Sequence, residues 1–264
     1  MNDGDNLVAV QLEAGVAHLR FNHPQSLNAI GVAMAEAFLR ATQQVLADPG
    51  TRVIVLSGEG RAFMAGGDLQ AFHADPVGAP DTARAIIKPL HEAVNLLADG
   101  NVPVIASVHG AVAGAGMSLA LGSDLVIAAD NSKFVLAYPK IGASPDGGGS
   151  WALVRRVGYA KAMEMLLLAE PFDALAALQL GVVNKVVPAA DLLAETHALA
   201  RKLAEGPTRA YGEIRKLLKH SLSQSLSSQL AQERCAFVRC AETKDFAEGV
   251  AAFLEKRAAS FTGA

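Results

Sequence analysis

The sequence predicts a layered α/β domain that ends in a helical region. After an opening hairpin, short apolar, β-branched runs alternate with helical patterns from Gly31 to Leu136, and these runs are too short to carry a polar face. Strands of that kind are covered on both sides by helices. Beyond Gly147 the pattern is almost wholly helical.

The elements follow in order. Leu7 to Leu12 and Val16 to Phe21 alternate in polarity around a Glu13-Ala14-Gly15 turn, which predicts an antiparallel hairpin. After the turn-rich stretch Asn22 to Ser26, good helix formers with apolar spacing predict a helix from Gly31 to Ala47, stopped by Asp48-Pro49-Gly50. Arg52 to Ser57 reads as a strand, Asp81 to Leu97 as a helix, Val102 to Val108 as a strand and Ala115 to Leu121 as a short helix. Leu125 to Ala129 and Lys133 to Leu136 complete the strand series, joined later by Val182 to Val187 with Pro188 closing it. Pro207 opens the C-terminal helices at a first-turn position. Leu222 to Cys240 and Lys244 to Ala258 are the next two, the last with an apolar stripe at Phe246, Val250, Phe253 and Leu254. Such a stripe needs a partner surface, its own domain or a neighbouring subunit.

Composition narrows the function. The 264 residues are 51% hydrophobic and 19% charged, enough apolar material for a sizeable core. The 23 Lys plus Arg against 26 Asp plus Glu leave a formal charge of −3, so no global field draws in nucleic acid or an anionic membrane. Cys235 and Cys240 lie on different faces of one helical stretch and read as reduced packing residues. Met1 to Asn6 has no basic leader character and no apolar run is long enough to span a bilayer, so the expected compartment is the cytoplasm. No His, Cys and carboxylate group has metal-ligand spacing, and no cofactor motif of the Gly-x-Gly-x-x-Gly or Gly-Lys-Ser type is present.

Three glycine-rich segments carry the chemistry: Arg61 to Leu69, His109 to Gly116, and Ser144 to Ser150. Each reads as a strand end that leads into a helix. Glycine lets backbone approach a ligand closely, and a helix's first turn has N–H groups without internal partners, so two such ends can converge on one oxyanion. Taken singly, each segment is equally well a tight turn.

Together the segments resemble the crotonase, or enoyl-CoA hydratase/isomerase, superfamily along nearly the whole chain. Asn22-His23-Pro24 with Leu27-Asn28-Ala29 resembles the family's Asn-x-Pro…Asn-Ala segment, and Phe63 to Leu69 its Ala-Gly-x-Asp-Leu loop. Gly110 to Leu119, Asp124 with Ala128, Pro145 to Gly149, Ala174 to Val183, and Glu248-Gly249 through Lys256-Arg257 follow in family order. The resemblance implies a spiral of ββα turns in an acyl-CoA-binding core (residues 1–205) and a C-terminal helical region (206–264) used in packing a homotrimer or homohexamer. It places a thioester carbonyl oxygen between the backbone N–H groups of Gly67 and Ala115. Coenzyme A, as part of the substrate, would lie on Ser26, Leu27, Ala65, Asp68 and Leu69, with Phe253 and Lys256 reaching a neighbour's CoA.

The same resemblance bears on the reaction. Hydratase relatives use two glutamates, at positions occupied here by Ser118 and Tyr138. Serine is no carboxylate base, and tyrosine's ordinary pKa near 10 makes it a poor one. Two-glutamate hydration is disfavoured. Asp146, in the third glycine segment, remains, and this segment resembles that of the phenylacetate-pathway enoyl-CoA isomerases, in which an Asp shuttles a proton. A 3-enoyl to 2-enoyl isomerase with Asp146 as its acid/base is the leading expectation. The alternatives are a hydrolase- or dehalogenase-like enzyme using Asp146 as nucleophile, and a non-catalytic CoA-binding member. Residue by residue, Asp146 can also serve as the N-cap of the helix through Trp151. Asp68 reads as a cap and Asp124 as structural; His73, His91 and His109 read as surface or packing histidines, and Ser118 and Ser144 lack a His partner.

Overall fold

The computed structural model describes residues 7–264; Met1 to Asn6 lie outside the described residues. The chain opens with the expected hairpin, β1 (Val8–Glu13) antiparallel to β2 (Val16–Phe21), around a turn in which Ala14 and Gly15 have φ of 48° and 80°. Two successive left-handed residues give the turn whose twist matches the flanking strands. Every later neighbour in this sheet is parallel, in the order β1-β2-β3-β4-β6-β9, with β3 at Val53–Gly58, β4 at Val104–Val108, β6 at Leu125–Ala129 and β9 at Lys185–Val187. A second sheet joins β5 (Ala111–Ala113), β7 (Lys133–Val135) and β8 (Phe172–Asp173). Successive passes place a strand in the first sheet, then one in the second, then a helix, so the chain advances as a spiral.

Helices close both faces of the large sheet. On one side α1 (Val32–Ala47) packs with α3 (Ala79–Asp99), preceded by the short α2 (Leu69–Ala74). The core here is aromatic at its centre: the Phe21 ring lies 5.2 Å from that of Phe38 and 5.9 Å from that of Phe63, all fully buried. Burying each such ring contributes about 1.5–3 kcal/mol, and Phe63 thereby anchors the first glycine segment. On the other side α8 (Leu192–Ala204) covers Val16, Val53, Val55 and Ile105 through Ala200 and Ala204. Between the sheets runs α4 (Ala115–Gly122), buried from Ala115 to Leu121. α5 (Gly149–Val157), α6 (Tyr159–Leu168) and α7 (Ala174–Gln179) complete the spiral.

Several expectations need correction. The third glycine segment follows a single helical turn at Tyr138–Ile141, not a strand. Val182 and Val183 leave α7 with N–H groups on Ala177 O, so β9 starts only at Lys185. The helix foreseen from Leu222 starts at Leu226, because the Ser225 hydroxyl accepts the Ser228 N–H as an N-cap. The last helix stops at Leu254 rather than Ala258, where Lys256 turns left-handed with φ 57°.

The C-terminal helices α9 (Thr208–Ser221), α10 (Leu226–Ala241) and α11 (Lys244–Leu254) are held to the spiral by polar anchors. From α9, Arg215 donates Nε to Asp124 Oδ2 at 2.7 Å and further N–H groups to the Leu97 and Gly100 carbonyls. Asp124 also accepts the Val104 N–H at 2.7 Å, which makes it structural, as expected. The chain end folds back on α11: buried Asp245 accepts the Thr262 N–H at 2.7 Å and the Gly263 N–H at 2.8 Å. Arg52, just before β3, donates to the Gly206 and Phe261 carbonyls and so ties this end to the sheet. Both cysteines are in α10 and free, Cys235 being exposed. Among the described residues no helix is long and apolar enough to cross a membrane, and no group of three His, Cys, Asp or Glu is placed to hold a metal ion.

Two outcomes are expected from this packing. Asp245→Ala removes the acceptor for two backbone donors, so amide hydrogen exchange at Thr262 and Gly263 should accelerate about ten- to a hundredfold. His18 lines an 810 Å³ groove beside α8, its ring 5.1 Å from that of His197. Burial first, then His197 and Arg20, hold its pKa below the ordinary value, against a smaller opposing pull from Glu13. The unfolded chain therefore binds this proton first as pH falls. The contribution of neutral His18 to stability is complete above about pH 6.5 and is lost as pH drops through the folded-state pKa. Melting curves of His18→Gln should show a shallower acid-side loss than the parent between pH 6.5 and 5.

Candidate functional site

The site begins with a buried side chain that sequence reasoning had quoted only as part of a motif. Asn28, fully buried with φ 57°, accepts the His23 N–H on Oδ1 at 2.8 Å and donates Nδ2 to the carbonyls of Glu59 (3.0 Å), Ala62 (2.9 Å) and Phe63 (3.2 Å). This ties the segment after β2 to the first glycine segment. A short ladder continues the join: Ala65 N–H to Leu27 O at 3.0 Å, Ile30 N–H to Gly66 O at 2.8 Å and Asp68 N–H to Ile30 O at 3.1 Å. In a parallel pairing of this kind, the residue opposite Ile30 turns its own amide to the other side. That residue is Gly67. Gly67 is exposed, and its N–H meets no acceptor among the described residues.

The second segment is pressed against the first. Phe63 N–H donates to His109 O, Met64 N–H to Ala111 O, and Ala113 N–H to Met64 O. Gly114, at φ 49° and ψ −120°, makes the sharp entry into α4, and a Cβ there would come within 3.3 Å of Gly66 Cα. Only glycine adopts this backbone without strain. Ala115 is thus the first residue of α4, and the first intrahelical bond is Ser118 N–H to Gly114 O. The Ala115 N–H has no helical acceptor, and the partial positive charge of a helix end sits there in a buried, weakly screened environment.

The third segment brings a carboxylate to the same helix. Ser118 is three residues, about one helical turn, beyond Ala115. Its Oγ lies 2.9 Å from Tyr138 Oη, which donates to Asp146 Oδ1 at 2.6 Å. The Tyr138 proton being committed to Asp146, Ser118 is the donor in the other bond. Gly149 presses directly on the Ser118 Oγ, leaving no room for a side chain. Tyr138 is buried, and burial first, then the Asp146 charge and the hydrogen bond to it, push its pKa well above the ordinary value, partly opposed by Ser118 and the Asp146 amide. It is a fixed donor and no base.

The structure also decides among the simpler roles. Asp146 is not the N-cap of α5: Gly148 holds that position, without a side-chain cap, and the Asp146 carboxylate faces Tyr138 instead. Asp68 is the N-cap of α2, accepting the Gln70 and Ala71 N–H groups. His109 Nε2 is 2.9 Å from Gly60 O, a packing role. His91 is more than a surface residue: its Nε2 accepts the Gly147 N–H at 3.0 Å, which puts the proton of the neutral ring on Nδ1 and holds the third turn to α3. His73 is exposed on α2.

Of the expected CoA contacts, Leu27, Ala65, Asp68 and Leu69 form one continuous edge with Ser26, whose hydroxyl is 2.7 Å from His23 Nδ1. Leu69 is half exposed on that edge. Phe253 and Lys256 are elsewhere, on and just beyond α11, which packs on α10 and the chain end; Phe253 is 83% exposed.

With this geometry in view, comparison with known proteins is specific. A model of the enoyl-CoA hydratase/isomerase family matches residues 11–264. A probable enoyl-CoA hydratase of Rhodobacter capsulatus is 38% identical over 97% of this chain and 98% of its own. The 1,2-epoxyphenylacetyl-CoA isomerase of Escherichia coli is 40% identical over 96% of this chain and 97% of its own. Among solved structures, an enoyl-CoA hydratase from Polaromonas sp. JS666 superimposes with a TM-score of 0.91 at 39% identity, covering 97% of this chain and 99% of that one. Matched along nearly its full length in sequence and in fold, the chain belongs to the crotonase superfamily as a member of the enoyl-CoA hydratase/isomerase family.

Proposed function

We propose that the protein isomerises an unsaturated acyl-CoA, moving a 3,4 double bond to the 2,3 position through an enolate. Gly67 and Ala115 would donate to the thioester oxygen while Asp146 takes a proton from C2 and returns it to C4. The observation that carries this reading is the join of Asp146, through Tyr138, to Ser118 on α4. It ties one carboxylate, through two hydrogen bonds, to the residue about a helical turn beyond the Ala115 N–H, at a site where the two hydratase carboxylates are a serine and a tyrosine. A dienolate with its charge on oxygen is the species two preorganised N–H groups favour most; a single such donor is worth roughly a hundred- to a thousandfold in rate elsewhere.

The 40% identical isomerase of a ring-derived acyl-CoA supports an unsaturated, ring-derived substrate for this chain as well. The nucleophilic alternative for Asp146 draws less support, since it needs a base for water. His91 has Nε2 occupied by Gly147 and its proton on Nδ1. We further propose a trimer or hexamer in the cytoplasm, in which Phe253 and Lys256 contact a neighbour's CoA; Leu218, Leu222, Phe237, Phe253 and Leu254 are each more than half exposed on α9 to α11, which supports burial against another subunit.

The test is conversion of a 3-enoyl-CoA by the parent and by Asp146→Asn. Loss of the proton carrier should lower kcat by about 10²- to 10⁴-fold, with KM little changed. Equal rates would remove Asp146 from the mechanism. Solvent ¹⁸O appearing in the Asp146 side chain after turnover would instead favour attack by the carboxylate.

A further inference from the structure

The hydrogen-bond chain that carries Asp146 to α4 also distinguishes its two oxygens. Oδ1 receives the Tyr138 hydroxyl at 2.6 Å, while Oδ2 has no hydrogen-bond partner among the described residues. Tyr138 is itself fixed: buried, donating to Asp146 and accepting from Ser118, which is buried in α4. Nothing in this chain rotates freely. Its length from helix to carboxylate is two hydrogen bonds, both within ordinary distances.

We propose that Tyr138 is a positioning residue that makes Asp146 a one-oxygen base: with Oδ1 occupied, Oδ2 alone takes the proton from C2 and hands the same proton to C4. The proposal rests on the isomerase reading. The two oxygens of a free carboxylate are spaced much like two carbons in a 1,3 relation, so an unrestrained aspartate could collect with one oxygen and return with the other, or turn and lose the proton to water. Here the pair of the broken C2–H bond enters the dienolate, with its charge on the thioester oxygen; as that charge returns the C2–C3 π bond forms and the 3,4 π electrons make the new C4–H bond, the proton travelling from C2 to Oδ2 to C4. Oδ1 is the weaker base of the two, because the Tyr138 proton it accepts at 2.6 Å already draws on its charge. Tyr138 cannot receive the transferred proton, since it keeps its own.

The consequence is retention. The transferred proton should stay with the substrate in a large share of turnovers, although the site is open enough to leave Asp146 partly exposed. The experiment uses a 3-enoyl-CoA deuterated at C2 and follows label at C4 of the product, with kcat and KM, for the parent, Tyr138→Phe and Ser118→Ala. Tyr138→Phe should lower kcat at least tenfold, leave KM within about twofold and cut the retained deuterium by half or more. Ser118→Ala, which keeps the bond to Oδ1, should lie between the two. A parent-like kcat with parent-like retention in Tyr138→Phe would overturn the proposal. A crystal structure of Tyr138→Phe gives a second readout that does not depend on turnover: two or more Asp146 rotamers are expected, and one rotamer identical to the parent's would overturn the proposal. If the parent does not isomerise 3-enoyl-CoA at all, the function reading fails on that assay, and the positioning role stands or falls on the crystal structure.

Discussion

Everything at this site depends on one buried carboxamide. Asn28 has no solvent to turn to, so its oxygen and both its N–H bonds must be met inside the fold. They are met by His23 on one side and by the carbonyls of Glu59, Ala62 and Phe63 on the other, three acceptors shared between two protons. No apolar side chain could satisfy those backbone groups, and leaving a buried carbonyl unmet costs about 1–3 kcal/mol. The join sets the register of the ladder from Leu27 to Ile30 against Ala65 to Asp68, and the register decides which amide faces outward. A slip by one residue would turn the Gly67 amide into the ladder and withdraw its N–H from the outer side.

The second donor is placed by a different constraint, close packing rather than hydrogen bonding. Gly66 and Gly114 pack closely, a Cβ on Gly114 coming within 3.3 Å of Gly66 Cα, and both take positive φ (109° and 49°) that a side chain would strain, so α4 starts against the end of the first segment. Because α4 is buried along its length, water does not screen the field at its first turn. Neither of the two proposed donors is a side chain. The residue at position 115 is alanine, and its Cβ has no part in the N–H direction, which is why Gly or Ala serves equally well there.

Much of this was legible in the sequence because it depends on short patterns. Alternation located the hairpin, uniform apolar runs located the parallel strands, and the glycine segments stood out by composition. What was not legible depends on long-range contacts. β8, two residues long, is set by its pairing with β7 and by Phe172 stacking on Phe134, their ring centroids 5.5 Å apart. The break at Ser223 to Ser225 and the left-handed stop at Lys256 replace helix that local propensity allows, one through a serine cap and the other through the return of the chain end to Asp245. Asp146 read as a plausible cap because caps are local; its actual partner, Tyr138, is eight positions away and was visible only as the site of a missing glutamate.

That missing glutamate and the retained aspartate are one physical fact. Ser118 Oγ and Tyr138 Oη both lie on the hydrogen-bonded path to Asp146, so glutamates at these two positions would bring further carboxylates toward it. Like charges at such range cannot all ionise in a buried site, so one or more would hold a proton and cease to be a base. Serine and tyrosine keep the hydrogen-bonded path from α4 to the third turn while adding no charge. On the proposed reading the pair lets Asp146 work alone, in a chemistry that needs a single mobile proton where hydration needs two carboxylates and a water.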